Sequence, residues 1–397
     1  MITESLSPLS QALTLPCGAT LKNRIAKSAM SDSLGDGAGN PTNEQIRLYE
    51  RWALGGLALS IIGEVQGTPH FAEKPGNLIL SNHSDRNLFE RLATAGTANS
   101  AQLWLQLGHA GAMADAPIST PKGPSALDLP GLSCAALSLD EILALPAEFA
   151  HTASLSKQFG FGGVELHAAH GFLLNQFLSP LFNKREDAYG GSLHNRMRLL
   201  LEVIEAVRNA VGPEFPVGIK LNATDQLEGG FEEDESLQVV AALDKTSIDL
   251  IDISGGTYFP GAASSSDRAG SGPYFLSFAA RSRKKTTIPL MVTGGFKTLS
   301  QAERAVSEGN VDVVGLARAL VVDPELPSYW LSGQHGEPQF PRFKNPPEGG
   351  VTAWYTMQLT RHAKGETALS PHDLEEAIAA YEIRDEARRR IWKSKLS

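Results

Sequence analysis

The stretch Gly163-Val164-Glu165-Leu166-His167-Ala168-Ala169-His170-Gly171-Phe172 decides how the chain is read. Val164 to Leu166 is a short apolar run of the kind a buried parallel strand carries. Two histidines three residues apart follow it. A strand that ends near His167 and then turns projects both imidazoles from its carboxyl end toward one point. Two adjacent imidazole donors suit the holding of a developing negative charge on an oxygen. Metal ligation is a competing use, but no carboxylate or cysteine cluster with ligand spacing accompanies the pair, so no metal is expected. Satisfied core histidines are the bland alternative.

Outward from this strand, short apolar runs recur, each followed by a longer helical pattern. The runs are Arg24–Ala29, Ala58–Glu64, Ala101–Leu107, Gly163–His167, Pro216–Leu221, Leu250–Ser254, Pro289–Thr293 and Asp312–Leu316, eight in all. Between them lie the amphipathic segments Asn43–Leu54, Asp85–Asn99, Leu139–Phe159, Leu193–Val211, Glu233–Thr246 and Ser300–Gly309. Strands alternating with helices imply right-handed crossovers and a parallel sheet. Eight such units predict an α/β fold, a single (β/α)8 TIM barrel. An open doubly wound sheet is the runner-up. No Gly-x-Gly-x-x-Gly follows the first run, which argues against its dinucleotide-binding version.

Three additions to the barrel are expected. Leu13 to Ile25 alternates around Pro16-Cys17-Gly18 and reads as an N-terminal hairpin plugging one end. Residues 111–137, rich in Pro, Gly, Ala and Ser, read as a long aperiodic loop after strand three, on the catalytic face. Residues 332–397 read as a connector and C-terminal helical extension packed on a barrel of residues 1–331. In it, Val351–Leu359 is expected to be helical, and Ser370 and Pro371 to start a last helix whose apolar stripe is Leu374, Ile378, Tyr381 and Ile391. The preferred reading docks that helix on its own barrel; a homo-oligomer contact is the alternative.

Composition excludes several classes. The 397 residues are 42% hydrophobic and carry a net charge of -9, which argues against a nucleic-acid partner. Acidic runs such as Glu232-Glu233-Asp234-Glu235 read as solvated helix starts. Cys17 and Cys134 are the two cysteines and lie far apart, so no disulfide scaffold is expected and a reduced, cytoplasmic setting fits. Met1-Ile2-Thr3-Glu4 lacks a basic start followed by an apolar stretch, so no signal peptide is expected. No apolar run reaches the roughly 20 residues a membrane span needs.

Thr293-Gly294-Gly295-Phe296 follows the seventh run, and Gly315-Leu316-Ala317-Arg318 ends the eighth. Loops after these two strands often bind phosphate in barrels. Glycines let backbone N–H groups approach the anion, and an arginine adds charge-assisted hydrogen bonds. By themselves these turns would also suit a lyase or isomerase acting on a phosphorylated substrate.

Four further motifs accompany them: Lys22-Asn23-Arg24-Ile25, Leu103-Trp104-Leu105-Gln106-Leu107-Gly108-His109, Val217-Gly218-Ile219-Lys220-Leu221-Asn222, and Leu178-Ser179-Pro180-Leu181-Phe182-Asn183 with Asn195-Arg196. Taken together with the histidine pair, the sequence from about Leu21 to Pro324 resembles the Old Yellow Enzyme family of FMN-dependent ene-reductases. The resemblance implies an NAD(P)H-dependent FMN oxidoreductase that reduces the C=C bond of electron-poor alkenes such as enones, nitroalkenes and maleimides by ping-pong hydride transfer. FMN is then the cofactor and NADPH or NADH the reductant. Gly294, Gly295, Ala317 and Arg318 would hold the FMN phosphate. Gln106, whose amide both donates and accepts, would meet the flavin's carbonyl and N–H edge. Lys220 would stand where better-known branches carry arginine, the other use of such a residue being a rim lysine paired to an acid. Ala29, Met30, Ser31 and Val65 would contact the ring, with Glu64 structural. His167 and His170 would grip the substrate oxygen.

One departure matters. Many family members place a proton-donating tyrosine two residues after the second histidine, and here that residue is Phe172. Tyr258, in Ser254-Gly255-Gly256-Thr257-Tyr258-Phe259, or water is expected to substitute. A flavin reductase of quinones or other acceptors, which needs no such donor, is the alternative. Larger relatives with an iron–sulfur cluster need four clustered cysteines, so the branch lacking the cluster is expected.

Overall fold

The computed structural model describes residues 7–259, 272–334, 336–347, 349–366, 368, 370 and 373–396. Eight parallel strands close into a ring: β1 (Ile25–Met30), β2 (Leu59–Gln66), β3 (Gln102–Gly108), β4 (Gly163–Ala168), β5 (Val217–Asn222), β6 (Leu250–Ser254), β7 (Leu290–Thr293) and β8 (Val313–Leu316). Each pairs with its sequence neighbours, and β8 returns to β1, Val314 opposite Ile25. The expected strands match the observed ones to within a few residues at each end, the usual scatter of such boundaries.

The principal helices outside the ring are α1 (Asn43–Leu54), α2 (Arg86–Gly96), α3 (Leu139–Gln158), α4 (Arg198–Val211), α5 (Glu233–Leu243), α6 (Leu276–Ser282), α7 (Leu299–Ser307) and α8 (Arg318–Val322). Local chemistry explains their starts. Thr42, Asp85 and Thr298 cap α1, α2 and α7, and Ser138 with Glu141 forms a full capping box on α3. The segment expected as one helix over Leu193–Val211 is two, because Met197 interrupts Leu193–Arg196 and α4. The acids opening α5 are more than solvated starts: Glu233 and Asp234 pair with Arg281, and Glu235 with Arg196.

The N-terminal hairpin, Leu13–Thr14 paired with Thr20–Leu21, plugs the barrel floor as expected. Leu15 and Leu21 join Ala26, Leu59, Trp104, Leu250, Met291 and Val313 in one buried cluster. Trp104 fills the floor because its neighbours have no side chain; a Cβ on Gly163 would sit 2.7 Å from its ring, and one on Gly218 3.1 Å.

The expected loop at 111–137 is a correction. It folds into a small sheet of Lys122–Gly123, Leu127–Leu129 and Leu132–Ala136. These strands are too short for a period to show in the sequence.

The last stretch carries α9 (Leu326–Leu331), α10 (Gly350–Lys364) and α11 (Leu374–Lys395). Arg47 of α1 donates to the Ala363 carbonyl of α10 at 3.1 Å. The helix α11 lies over loops that follow β1, β2 and β3. Arg388 donates to the Ser33 carbonyl, and Arg389 pairs with Asp115 at 3.2 Å. Trp392, fully buried, packs with Ala72, Ile79 and Ile118. Ile391 is 39% exposed, so the expected stripe is one position out at its end: Ala377, Asp385 and Trp392 are the buried residues of the helix. Asp373 rather than Ser370 precedes the helix, while Pro371 and the Met1–Glu4 start lie outside the described residues. No helix among the described residues is long and apolar enough to cross a membrane.

Trp392→Ala removes the largest fully buried side chain of α11. Chemical denaturation should show a loss of about 3 kcal/mol or more, the cost of a truncated buried tryptophan; an unchanged midpoint would mean that α11 is not docked.

Candidate active site

Barrel register sets the site. In a strand, alternate side chains enter the interior, so residues paired across neighbouring strands sit at one level. Gln106 pairs with Glu165, and His167 pairs with Lys220, which pairs with Asp252. Each of these side chains is at most 2% exposed. Gln106 Nε2 donates to Glu165 Oε1 at 2.7 Å. Lys220 Nζ bonds Asp252 and lies 3.7 Å from Glu165 Oε1. The network continues through Asp252 Oδ1 to Thr293 Oγ1 at 2.6 Å and on to Ser28 Oγ at 2.6 Å. Gly315 makes room, since a Cβ there would stand 2.5 Å from both hydroxyl oxygens.

Three ionisable groups inside one apolar barrel perturb each other. Burial raises the Glu165 carboxyl to about 7, Lys220 pulling it down and Asp252 pushing it up. Burial also raises Asp252 against the pull of Lys220. Burial opposes the Lys220 charge, yet the two carboxylates outweigh it and hold the ammonium above its usual value. Lys220 therefore sits in the acid-paired arrangement considered from the sequence.

The histidines stand where the reading of β4 puts them, at its carboxyl end. Their rings are 5.4 Å apart and nearly perpendicular. His170 adopts φ +61°, a left-handed conformation rare without a local reason. That reason is β5: Asn222 Oδ1 accepts the His170 backbone N–H at 3.0 Å. Asn222 Nδ2 in turn donates to Asp225 at 2.9 Å and to the Gly256 carbonyl at 2.8 Å. Ser254 Oγ meets His170 Nε2 at 2.8 Å and fixes the ring. Both imidazoles are neutral. Burial depresses His170 to about 3, with Lys220 adding to it, and burial, His170 and Lys220 hold His167 well below its usual value.

Tyr258 completes this wall. Its backbone N–H donates to the His170 carbonyl at 3.1 Å, and its ring lies 5.5 Å from the His170 ring. Phe172 is fully buried, 4.6 Å from the His167 ring and 6.2 Å from Tyr258. Tyr258 is 57% exposed; the protein packed around it, then Glu64 and Glu73, raise its hydroxyl, while Lys74 and Arg318 lower it. Arg318 thus acts on the wall that holds the histidines, and the two lie at the same end of the barrel. The half-buried Arg318 guanidinium lies 5.5 Å from the ring of Tyr355, a residue of α10.

Gly294 and Gly295 take φ +102° and +85°, and a Cβ on Gly295 would sit 2.5 Å from the Gly272 carbonyl oxygen. Ala29 and Met30 are half-buried where the rest of β1 is fully buried, and so is Ser31 just past its end. Val65 is buried at the end of β2. Among the polar atoms at this end of the barrel that are buried without a protein partner are Ser31 Oγ and His167 Nδ1. Buried polar atoms are normally satisfied, so the pair fits a cavity whose donors and acceptors await a bound group with polar edges. Among the described residues no cluster could hold a metal ion.

Sequence reasoning missed Glu165, Asp252, Asn222 and Ser254. The signal was there, since Glu165 and Asp252 interrupt apolar strands and Asn222 and Ser254 end them. What it lacked was the cross-strand register that makes them neighbours.

A sequence model of the NADH:flavin oxidoreductase / NADH oxidase family matches residues 13–335. The chain belongs to that family. It is 35% identical over 357 residues to an NADH-dependent flavin oxidoreductase of Talaromyces variabilis, covering 80% of this chain and 85% of that one. An NADH-dependent flavin oxidoreductase of Neonectria sp. (strain DH2) is also 35% identical, over 79% of this chain, but the chain spans only 46% of that relative's length. Among solved structures, 2-naphthoyl-CoA reductase matches with TM-score 0.78 and 27% identity, over 83% of this chain and 53% of that one. Morphinone reductase matches with TM-score 0.71 at 24% identity, over 85% and 92%, a likeness of fold. Membership carries FMN as cofactor, with NADH or NADPH as reductant, and sets aside the lyase or isomerase reading. The match ends at residue 335, before Tyr355 and α11.

Two outcomes follow. Gly295→Ala should release FMN on dialysis with Kd weakened roughly tenfold or more, because a strained φ costs about 1–3 kcal/mol; flavin fluorescence titration measures it. The neutral histidines set an acid limit. They charge freely when unfolded but not when folded, so stability present above pH 6.5 is lost as pH falls toward about 3 for His170. His170→Asn should shrink the loss between pH 7 and pH 4, read by denaturant titration at each pH.

Proposed function

We propose that this protein is an NAD(P)H-dependent FMN oxidoreductase reducing the C=C bond of electron-poor alkenes, namely enones, nitroalkenes and maleimides, in a ping-pong cycle. The observation that carries the reading is the neutral His167–His170 pair sharing one wall with Tyr258, at the same end of the barrel as Arg318 and the Gly294–Gly295 turn. FMN, when bound, carries a hydride from the nicotinamide to the acceptor.

In this proposal Gly294, Gly295, Ala317 and Arg318 hold the cofactor phosphate through backbone N–H groups and the guanidinium. Gln106 presents its amide to the ring edge; Nε2 donates to Glu165 and Oε1 accepts the Glu64 backbone N–H at 3.4 Å, which fixes the amide and leaves a second N–H and a second lone pair for the ring. Ser31 supplies an otherwise unmet hydroxyl, and Ala29, Met30 and Val65 give apolar contact. Lys220, balanced by Asp252 and Glu165, acts through the whole network rather than as a lone cation.

His167 and His170 donate to one carbonyl or nitro oxygen. A neutral imidazole has one donor, and with the Ser254 hydroxyl donating to His170 Nε2, its proton stays on Nδ1. That grip polarises the conjugated bond, orients the acceptor and holds charge as it develops on the oxygen. Phe172 excludes water beside His167 and cannot donate, which leaves Tyr258 as the side-chain acid for the α-carbon. The barrel, residues 1–331, is the FMN-binding unit, with 332–397 an extension packed on it. The separation of Cys17 from Cys134 supports the branch without an iron–sulfur cluster.

The buried Phe172 favours one second reading, a flavin reductase of quinones or other acceptors that need no carbon protonation.

Purified protein reconstituted with FMN should bleach anaerobically with NADH or NADPH and recover with cyclohexenone or maleimide. His167→Ala should lower kcat/KM for these alkenes roughly a hundredfold, the usual effect of losing an oxyanion donor. Tyr258→Phe should slow alkenes but not quinones; equal rates with alkenes would rule Tyr258 out. Because the histidines stay neutral, no inflection near pH 6.5 should belong to them, and one near 7 should vanish in Glu165→Gln.

A further inference from the structure

Arg318, assigned above to the cofactor phosphate, is a half-buried cation without an anion. Among the described residues its guanidinium pairs with no carboxylate and donates to no carbonyl. What it meets is the ring of Tyr355, whose centre lies 5.5 Å from the guanidinium carbon. That distance is within the reach of a cation–π contact. An aromatic ring attracts a guanidinium without neutralising it and without occupying its N–H groups; a carboxylate partner would do both. The donors of Arg318 therefore stay open for a bidentate grip on an anion.

The ring itself is held from behind. Tyr355 is 8% exposed and stands edge-on to Trp354 at 5.1 Å between ring centres and to Phe343 at 6.5 Å. Phe343 and Trp354 lie 5.4 Å apart, so the three rings close on each other. The helix that carries Tyr355 is fastened to the short helix that carries Arg318. His362 Nε2 of α10 donates to the Val321 carbonyl of α8 at 2.8 Å, and His362 Nδ1 accepts from Arg51 of α1 at 3.3 Å. Trp52 of α1 donates to the Leu320 carbonyl at 3.1 Å. Val321 is about one turn past Arg318, and His362 about two turns past Tyr355, so α8 and α10 meet at two points rather than one. Burial raises the Tyr355 hydroxyl and Arg318 pulls it back, leaving it above its usual value. The ring is thus uncharged at neutral pH and adds no repulsion toward a phosphate. Tyr355 lies past residue 335, where the family match ends.

We propose that Tyr355 is a positioning residue of the cofactor site: its ring, clamped by Phe343 and Trp354, holds the Arg318 guanidinium in place for a phosphate monoester, so that the C-terminal extension sets the preference for FMN over unphosphorylated flavin. The proposal rests on Arg318 being the phosphate ligand. A long side chain loses rotamer freedom when it grips an anion, and a ring that has already restrained it lowers that cost. The restraint acts on the phosphate alone, since Tyr355 reaches the cofactor only through Arg318.

The test uses the full chain, stripped of flavin and titrated by flavin fluorescence with FMN and with riboflavin, which lacks the phosphate. Tyr355→Leu should raise the FMN Kd roughly fivefold or more, the scale of one cation–π contact, and leave the riboflavin Kd within about twofold. Tyr355→Phe, which keeps the ring, should match the parent with both flavins. In an Arg318→Leu chain, where the phosphate preference is already lost, adding Tyr355→Leu should change the ratio of the two constants no further. Equal weakening of FMN and riboflavin by Tyr355→Leu marks a merely structural ring and overturns the proposal, as does an unchanged FMN Kd. If Tyr355→Leu does not fold, Tyr355→Met takes its place under the same criteria. If Arg318→Leu leaves the ratio as in the parent, the phosphate assignment of Arg318 fails first, and the role of Tyr355 falls with it.

Discussion

The ion network across the barrel interior constrains everything around it. Glu165, Lys220 and Asp252 are charged or chargeable groups buried in the barrel interior, above an apolar floor that includes Trp104, Leu250 and Met291. Such groups are costly to bury unless each is paired and hydrogen-bonded, and breaking one pair strands the other charge. Here Gln106, Thr293 and Ser28 supply the remaining partners, and Gly315 leaves space for them. A slip of one residue in any of these strands would turn its polar side chain out of the barrel. The network thus ties register to chemistry: the order that satisfies the buried charges also brings His167 level with Lys220 at the mouth.

Above that level a second layer is held by amides. Asn222 uses its carbonyl on the His170 backbone and its amine on Asp225 and Gly256, drawing the loops after β4 and β6 together over β5. The left-handed backbone of His170 and the seat of Tyr258 both follow from it. The histidine pair is therefore preorganised by the ends of three strands rather than by its own loop, as a site that must not rearrange during reaction requires. The extension contributes from outside the family's matched span. Tyr355 of α10 lies on Arg318, and α11 is seated by Trp392 beside the loops that carry Glu73 and Lys74.

Much of this was legible in the chain. The eight strands, the hairpin plug and the two glycine turns could be read because each is a local pattern: an apolar run, an alternation, a glycine pair at positive φ. The histidine pair was legible for the same reason, since three residues of spacing at a strand end leave few places for two rings to go. The sheet within 111–137 was not, because strands of two to five residues carry no period. The stripe of α11 slipped from Trp392 to Ile391 because either residue continues an apolar face, and only the cavity formed by Ala72, Ile79 and Ile118 selects between them.

The sequence by itself determined the barrel, its family and the residue types at its mouth, since these depend on periodicity and on chemistry carried by single residues. Only the tertiary structure decided that Lys220 is neutralised by two carboxyls, that His170 is bent by Asn222, and that Glu64 is buried where the register of β2 slips. Each of these is an interaction between groups brought together by register or by a strand irregularity, and its strength depends on the exclusion of water, which a linear string of residues does not contain.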